Sequence, residues 1–169
     1  MNLTRIKTSI AGLAILGALV ASVPMATAAS AAKPDVTRFT LFQPKHIVFP
    51  YENLPGEVPG RKLYYVASLI KPSGEDFGIL TGSISTIEPL QGTNPEEAQL
   101  QLLHFTLPGG QIFAQSYNVY PRGAVEIDPN KSLVSAILGG TGKYIGARGQ
   151  IIHTRNADGT YTHKFALLK

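Results

Sequence analysis

Ala136-Ile-Leu-Gly-Gly-Thr-Gly-Lys-Tyr-Ile-Gly-Ala-Arg-Gly-Gln150 is the stretch on which the reading of this 169-residue chain turns. An apolar run, Leu133 to Leu138, enters Gly139-Gly-Thr-Gly142, and a second extended run leaves from Tyr144. Glycine tolerates positive φ, so the chain can reverse there without a Cβ clash. Gly146 and Gly149 recur inside the second run, where glycine marks curvature or the close approach of a neighbour. The stretch reads as a corner in a curved antiparallel sheet.

A nucleotide reading of the corner fails on context. Gly139-Gly-Thr-Gly-Lys143 shares backbone amides and a lysine with phosphate-binding loops, but Tyr144 stands where Ser or Thr is required. The loop should also open a helix, whose N-terminus attracts anions. Tyr144 to Thr154, rich in Gly, Ile and alternating polar residues, is a poor helix former.

The stretch does resemble a family. Gly-Gly-Thr-Gly-Lys-Tyr-x-x-Ala-Arg-Gly, from Gly139 to Gly149, is similar to the signature near the C-terminus of dirigent proteins. Gly146-Ala-Arg-Gly-Gln150, followed by a last strand ending Phe165-Ala-Leu-Leu-Lys169, resembles allene oxide cyclases. The resemblance implies an eight-stranded antiparallel, calycin-like barrel and a homotrimer. It also implies kinship with bacterial cyclases of polyketide-type substrates. Dirigent proteins place aspartates near the first strand and the glycine-rich corner; here Arg38, Thr40 and Lys143 stand at those places.

Ahead of the barrel, Asn2-Leu-Thr-Arg-Ile-Lys7 is basic, and Ile10 to Val20 is apolar apart from small residues. Pro24 ends the run, and Ala26-Thr-Ala28 or Ala29-Ser-Ala31 supplies the small residues that a signal peptidase reads. The expectation is a signal peptide over 1–28, with cleavage as late as 31, a flexible leader over 29–35 and one domain over 36–169. The apolar run is shorter than the roughly 20 residues of a membrane span, so no stable anchor follows processing. The chain is read as secreted or periplasmic. It contains no cysteine, which excludes disulfides and a lipoprotein anchor.

Loss of Arg5 and Lys7 with the leader lowers the net charge from +4 to +2. No Lys/Arg cluster remains, which argues against nucleic acid as a partner.

The first strand is read over Val36 to Phe42, with Phe39 and Leu41 on one face. Pro44 to Arg61, with four prolines, reads as a long loop across one mouth of the barrel. Strands follow over Lys62 to Ile70, Phe77 to Ile87, Glu97 to Thr106, Gln111 to Tyr120, Lys131 to Leu138, Tyr144 to Thr154 and Tyr161 to Leu168. Gly78, Gly82, Ser83 and Ser85 are expected to leave room inside. Many short strands between Gly, Pro and Asn-Asp turns indicate an all-β barrel or sandwich. The resemblance selects the barrel, whose closure removes exposed edges.

His46, His104, His153 and His163 fall on four separate elements with no ligand spacing, so neither a metal nor a cofactor is expected. His153 and His163 flank the last turn as a conceivable imidazole pair; the preferred reading is two unrelated histidines, one on the outer surface. No nucleophile elbow appears. Arg148, matching the arginine of the signature, is the leading catalytic candidate, a cation for a developing oxyanion, with a surface arginine as the alternative. Tyr144 and His163 complete the catalytic set. Tyr65, Tyr117, Phe113, Tyr161 and Phe165 are assigned to substrate binding. The function read from this set is a cyclase or isomerase that holds a small hydrophobic molecule and directs its cyclisation or coupling by proximity. A non-enzymatic binder of hydrophobic ligands and a filled structural barrel stay open as alternatives.

Overall fold

Inward and outward side chains alternate along most of each long strand, with breaks such as Glu97-Ala-Gln99, where three consecutive residues are buried, and the sheet wraps around an interior. The computed structural model describes residues 35–51, 62–89, 96–122, 124 and 126–168, all within one compact unit, Lys33–Lys169. The expected signal peptide and residues 29–34 of the leader lie outside the described residues.

The strands are β1 (Val36–Gln43), β2 (Ile47–Tyr51), β3 (Lys62–Ile70), β4 (Asp76–Pro89), β5 (Glu96–Leu107), β6 (Gly110–Pro121), β7 (Ser132–Gly140), β8 (Arg148–Arg155) and β9 (Tyr161–Leu168). They pair antiparallel in the order β1-β9-β8-β7-β6-β5-β4-β3-β2, and β1 returns to β3 through Phe42 and Ile70. The result is a closed eight-stranded antiparallel barrel, as the chain's turn pattern and family resemblance anticipated.

The ninth strand corrects the reading of Pro44 to Arg61 as loop. Ile47–Tyr51 pairs along β3 from Val66 to Lys62, while β1 pairs along β9 from Leu168 to Tyr161. β1 and β2 therefore fill one position in the wall as a strand broken at Pro44-Lys-His46. Proline has no N–H for a ladder, so the break falls where the chain changes partners. Residues 52–61 of the expected loop lie outside the described residues.

The glycine-rich corner also differs from expectation. Residues Gly142–Tyr144 form a 3-10 turn, and the strand expected from Tyr144 begins at Arg148. Gly149 holds φ at 128°, and a Cβ there would run into the carbonyl of Ala166 on β9. The strand glycine marks a close backbone approach, as its position suggested.

The interior divides lengthwise. Toward the β5–β6 turn, Leu41, Leu69, Leu80, Leu103, Phe105, Ile112, Ile137, Ile151 and Phe165 form a continuous buried cluster. Phe39 stacks on Phe165 at 4.4 Å, and Phe105 meets Phe165 edge to face at 5.0 Å. Toward the opposite end the same inward positions carry Gln43, Gln99, Ser116, Asn118, Ser135, His153 and His163, all buried.

The candidate functional site in the polar half of the barrel

Strand parity aims the polar set at one cavity. Leu41 pairs with His163, and His163 pairs with His153, so all three face inward in one layer. The cavity has a volume of about 40 Å³ and is lined by Gln43, His46, Tyr65, Gln101, Tyr120, Glu126, His153, Tyr161 and His163 among others. That is room for a few waters or one small functional group, not for a whole hydrophobic molecule.

The small residues of β4 do not open it further. The space at Gly82 is taken by the ring of Tyr65, whose Cε1 lies 2.5 Å from where a Cβ would sit. At Gly78 the backbone of Thr106 takes the corresponding space. Ser83 and Ser85 alternate outward with Ile79 and Ile87, opposite in parity to buried Leu80 and Ile84.

Two hydrogen-bond chains line the cavity, and donor chemistry gives each a direction. Gln43 Nε2 donates to His46 Nδ1 at 3.3 Å, which places the His46 proton on Nε2, 3.4 Å from the Glu126 carboxylate. Gln43 Oε1 accepts from His163 Nε2 at 2.8 Å. The bare Nδ1 of His163 then accepts from His153 Nδ1 at 2.8 Å, and His153 Nε2 accepts from the Ser135 hydroxyl at 2.9 Å. The chain runs from Ser135 to Glu126, a group that only accepts when ionised. Glu126 is itself held by Arg155, 2.6 Å away.

In the second chain Asn118 donates to Ser116 at 2.8 Å, and Ser116 donates to Gln101 Oε1 at 3.3 Å. Gln101 Nε2 donates to the Tyr65 hydroxyl at 2.7 Å. The phenolic O–H of Tyr65 is left to donate into the cavity.

Burial sets the protonation states. It lowers the pKa of His153 to about 4, and burial with the neighbouring His153 pushes His163 well below the ordinary imidazole value. Both rings are neutral at pH 7, as the directed chain requires. Burial raises the phenols of Tyr65 and Tyr161 far above their usual range and moves Tyr120 up to about 12. The cavity therefore presents neutral phenol and imidazole groups, with the Arg155-paired carboxylate of Glu126 on one wall. It contains no activated nucleophile: every nitrogen of the histidine pair is already bonded.

The candidates read from sequence separate into groups. Tyr65, Tyr161 and His163 line the cavity. Phe165 is buried in the apolar half, where Phe39 and Phe105 cover it. Tyr117 is 62% exposed on the outer face of β6. Phe113, of the same outward parity, packs edge to face on exposed His104. Arg148 is exposed, shares the outward parity of Gln150, and donates from Nη1 to the carbonyls of Leu138 and Ala147 at 2.8 and 2.9 Å. It braces the corner from outside and lines neither the cavity nor its mouth. Tyr144 sits in a separate groove near the opposite end.

Sequence reasoning preferred unrelated histidines and passed over Gln43, Gln101, Ser135 and Glu126. The available signal was a run of polar residues at alternate positions of otherwise apolar strands, such as Glu97-x-Gln99-x-Gln101.

No family model matches the chain, and no curated protein matches it. Solved structures do. The chain is similar to a pyocyanin demethylase at 20% identity and a TM-score of 0.58, covering 79% of this chain and 99% of that one. It is similar to AbnU, an exo-specific intermolecular Diels–Alderase, at 15% identity and a TM-score of 0.58, covering 80% and 98%. A third is the Diels–Alderase AbmU from Streptomyces koyangensis, at 15% identity and a TM-score of 0.59, covering 82% and 71%. At these identities the likeness is one of fold.

Proposed function

We propose that this barrel is a cofactor-free cyclase or isomerase, of the broad kind that allene oxide cyclases and dirigent proteins represent. Its substrate is a small hydrophobic molecule whose reacting end carries a carbonyl or similar acceptor. One observation carries the reading: the Tyr65 hydroxyl takes a hydrogen bond from Gln101 and keeps its own proton for the cavity. A neutral, desolvated donor polarises an acceptor as charge builds in the transition state, and it needs no reorganisation to do so. Ring closure gains the rest from orientation within fixed walls. Two solved structures that share the fold are Diels–Alderases, which supports a pericyclic closure in which one hydrogen bond activates the carbonyl.

The 40 Å³ cavity sets the scale of what enters: the acceptor end is buried and the rest of the molecule lies toward the mouth. Because both imidazoles are fully bonded, a non-enzymatic binder that recognises the same acceptor is the second reading. Two further parts of the proposal are export by the N-terminal leader and a homotrimer. For the trimer, the outward positions of β5–β7 support a self-association surface. Leu100, Leu102, Tyr117, Val119, Val134 and Leu138 lie there, and no Lys, Arg, Asp or Glu does between Gln99 and Val119 or from Ser132 to Gly140.

The test is turnover of a panel of carbonyl-bearing polyenes by the wild type and Tyr65→Phe, read as product ratio and enantiomeric excess. We expect a biased ratio with wild type, and a rate lowered about 10- to 100-fold in Tyr65→Phe. Its melting temperature falls modestly because Gln101 Nε2 loses its acceptor, and the comparison is made at a temperature where both proteins are folded. Saturable binding with the protein-free product ratio would select the binder. No binding and no bias would end both readings.

A further inference from the structure

The glycine-rich corner plays no part in the interior cavity, yet it is built with care on the adjoining hairpin. Gly109, Gly110 and Gly142 bring the two turns into backbone contact: a Cβ at Gly110 would meet the Thr141 carbonyl, and one at Gly142 the Gly109 carbonyl. Thr141 N–H donates to Gln111 O and Lys143 N–H to Gly109 O, each at 2.9 Å. The stem of Lys143 crosses Gly109, with Cδ 2.9 Å from where a Cβ would lie. This clamp fixes Lys143 with its ammonium 5.1 Å from the centre of the Tyr144 ring.

Tyr144 and Lys143 form one wall of a groove of about 470 Å³. The groove exists because β1 meets β3 at the single pair Phe42–Ile70, and β3 then turns away through Pro72. On that far wall Lys71 stands 4.8 Å over the Phe77 ring and is held by Glu75 at 2.9 Å. Phe39, Leu41 and Leu167 are the apolar floor. Among the described residues, the groove and the interior cavity share no lining residue.

We propose that this groove is a second binding site, and that it takes an aromatic acid, a planar ring system bearing one anionic group. The volume falls within the range of about 300–1,000 Å³ typical of small-molecule sites. Three aromatic side chains offer stacking or edge contacts to a ring. Among the described lining residues the two charges are both lysines, of which Lys71 is paired with Glu75. Lys143 makes no ion pair among the described residues, so its charge is available to the ligand. A bare inorganic anion would leave the floor unfilled, and a neutral ring would desolvate Lys143 without compensation. An aromatic acid satisfies both.

The probe is 2-naphthoate, titrated into the full chain and followed by calorimetry and by backbone amide shifts. Saturable binding is expected, with shifts centred on Phe39, Phe77 and Tyr144. The neutral analogue 2-naphthalenemethanol should bind at least tenfold more weakly. Lys143→Glu should weaken 2-naphthoate at least tenfold and Lys71→Gln about threefold; both residues lie at the rim, where substitution leaves the core intact. Absence of saturable binding would overturn the site. So would equal affinity for the neutral analogue, indifference to Lys143→Glu, or shifts centred on His153 and Tyr65. Tyr65→Phe should leave the naphthoate affinity unchanged, so this site and the proposed reaction in the cavity stand or fall separately.

Discussion

The two halves of the barrel interior are built on the same strands with the same parity, yet they hold together by different physics. In the apolar half, inward positions of β5, β8 and β9 carry Phe105, Ile151 and Phe165, and close packing fills the space. Further along the same strands the inward positions carry Gln99, Gln101, His153 and His163, and directed hydrogen bonds replace packing. The first arrangement is non-directional and tolerant. The second depends on each donor finding its acceptor, because an unsatisfied buried polar group is costly.

The largest blow to this contrast should come from the apolar side. Phe105→Ala is expected to cost about 3–5 kcal/mol in urea unfolding, since Phe105 is fully buried and touches Phe165 and both histidine rings. A loss below about 1 kcal/mol would mean that the apolar half is not the main source of stability.

Acid addresses the polar half through its buried histidines. An unfolded chain protonates its histidines near pH 6.5, whereas folded His153 resists until about 4. Between these values the unfolded state binds more protons, so stability falls as pH drops from 6.5 to 4. His153 alone contributes about 3 kcal/mol to this loss, and His163, shifted the same way, adds to it. Urea midpoints at pH 7 and pH 4 measure it, and a flat profile would show that the rings are solvated.

Ser135→Ala sharpens the comparison further. It strips His153 Nε2 of its donor and should cost about 1–3 kcal/mol, more than removing one hydroxyl would on a surface. The histidine tautomers, read from imidazole nitrogen shifts, should loosen in the same variant. The smallest effect belongs outside the barrel altogether: Ile145→Ser, at a position 79% exposed, should stay within about 0.5 kcal/mol.

How much of this was legible follows from the same division. Strand existence came through because alternation in Leu63–Leu69 or Leu103–Leu107 is a local property of the chain. The broken strand at Pro44 did not, because its prolines carry a strong turn signal and its pairing with β3 is a tertiary fact. Parity decided the site. Arg148 shares an alternating row with Gln150 and Ile152, but whether that row faces in or out depends on which residues of β9 lie opposite. His153 and His163 were visible as possible cross-strand neighbours. Their burial was not, because it depends on Phe105 arriving from β5 to cover them.

The register of β1 against β9 carries a kinetic consequence. Val36 pairs with Leu168 and Gln43 with Tyr161, so the first strand of the wall has its longest partner in the last. Every other neighbouring pair along β3 to β9 is a hairpin that can form locally, but this seam joins residues more than a hundred positions apart. Closure must therefore wait until Tyr161–Leu168 is available, and loop-closing entropy is lost before the seam returns any contact energy. Until then, β1 and β9 are two complementary unpaired edges, open to the wrong partner in a neighbouring chain. The step that completes the barrel is thus also the step at which its folding is most exposed to crowding by its own copies.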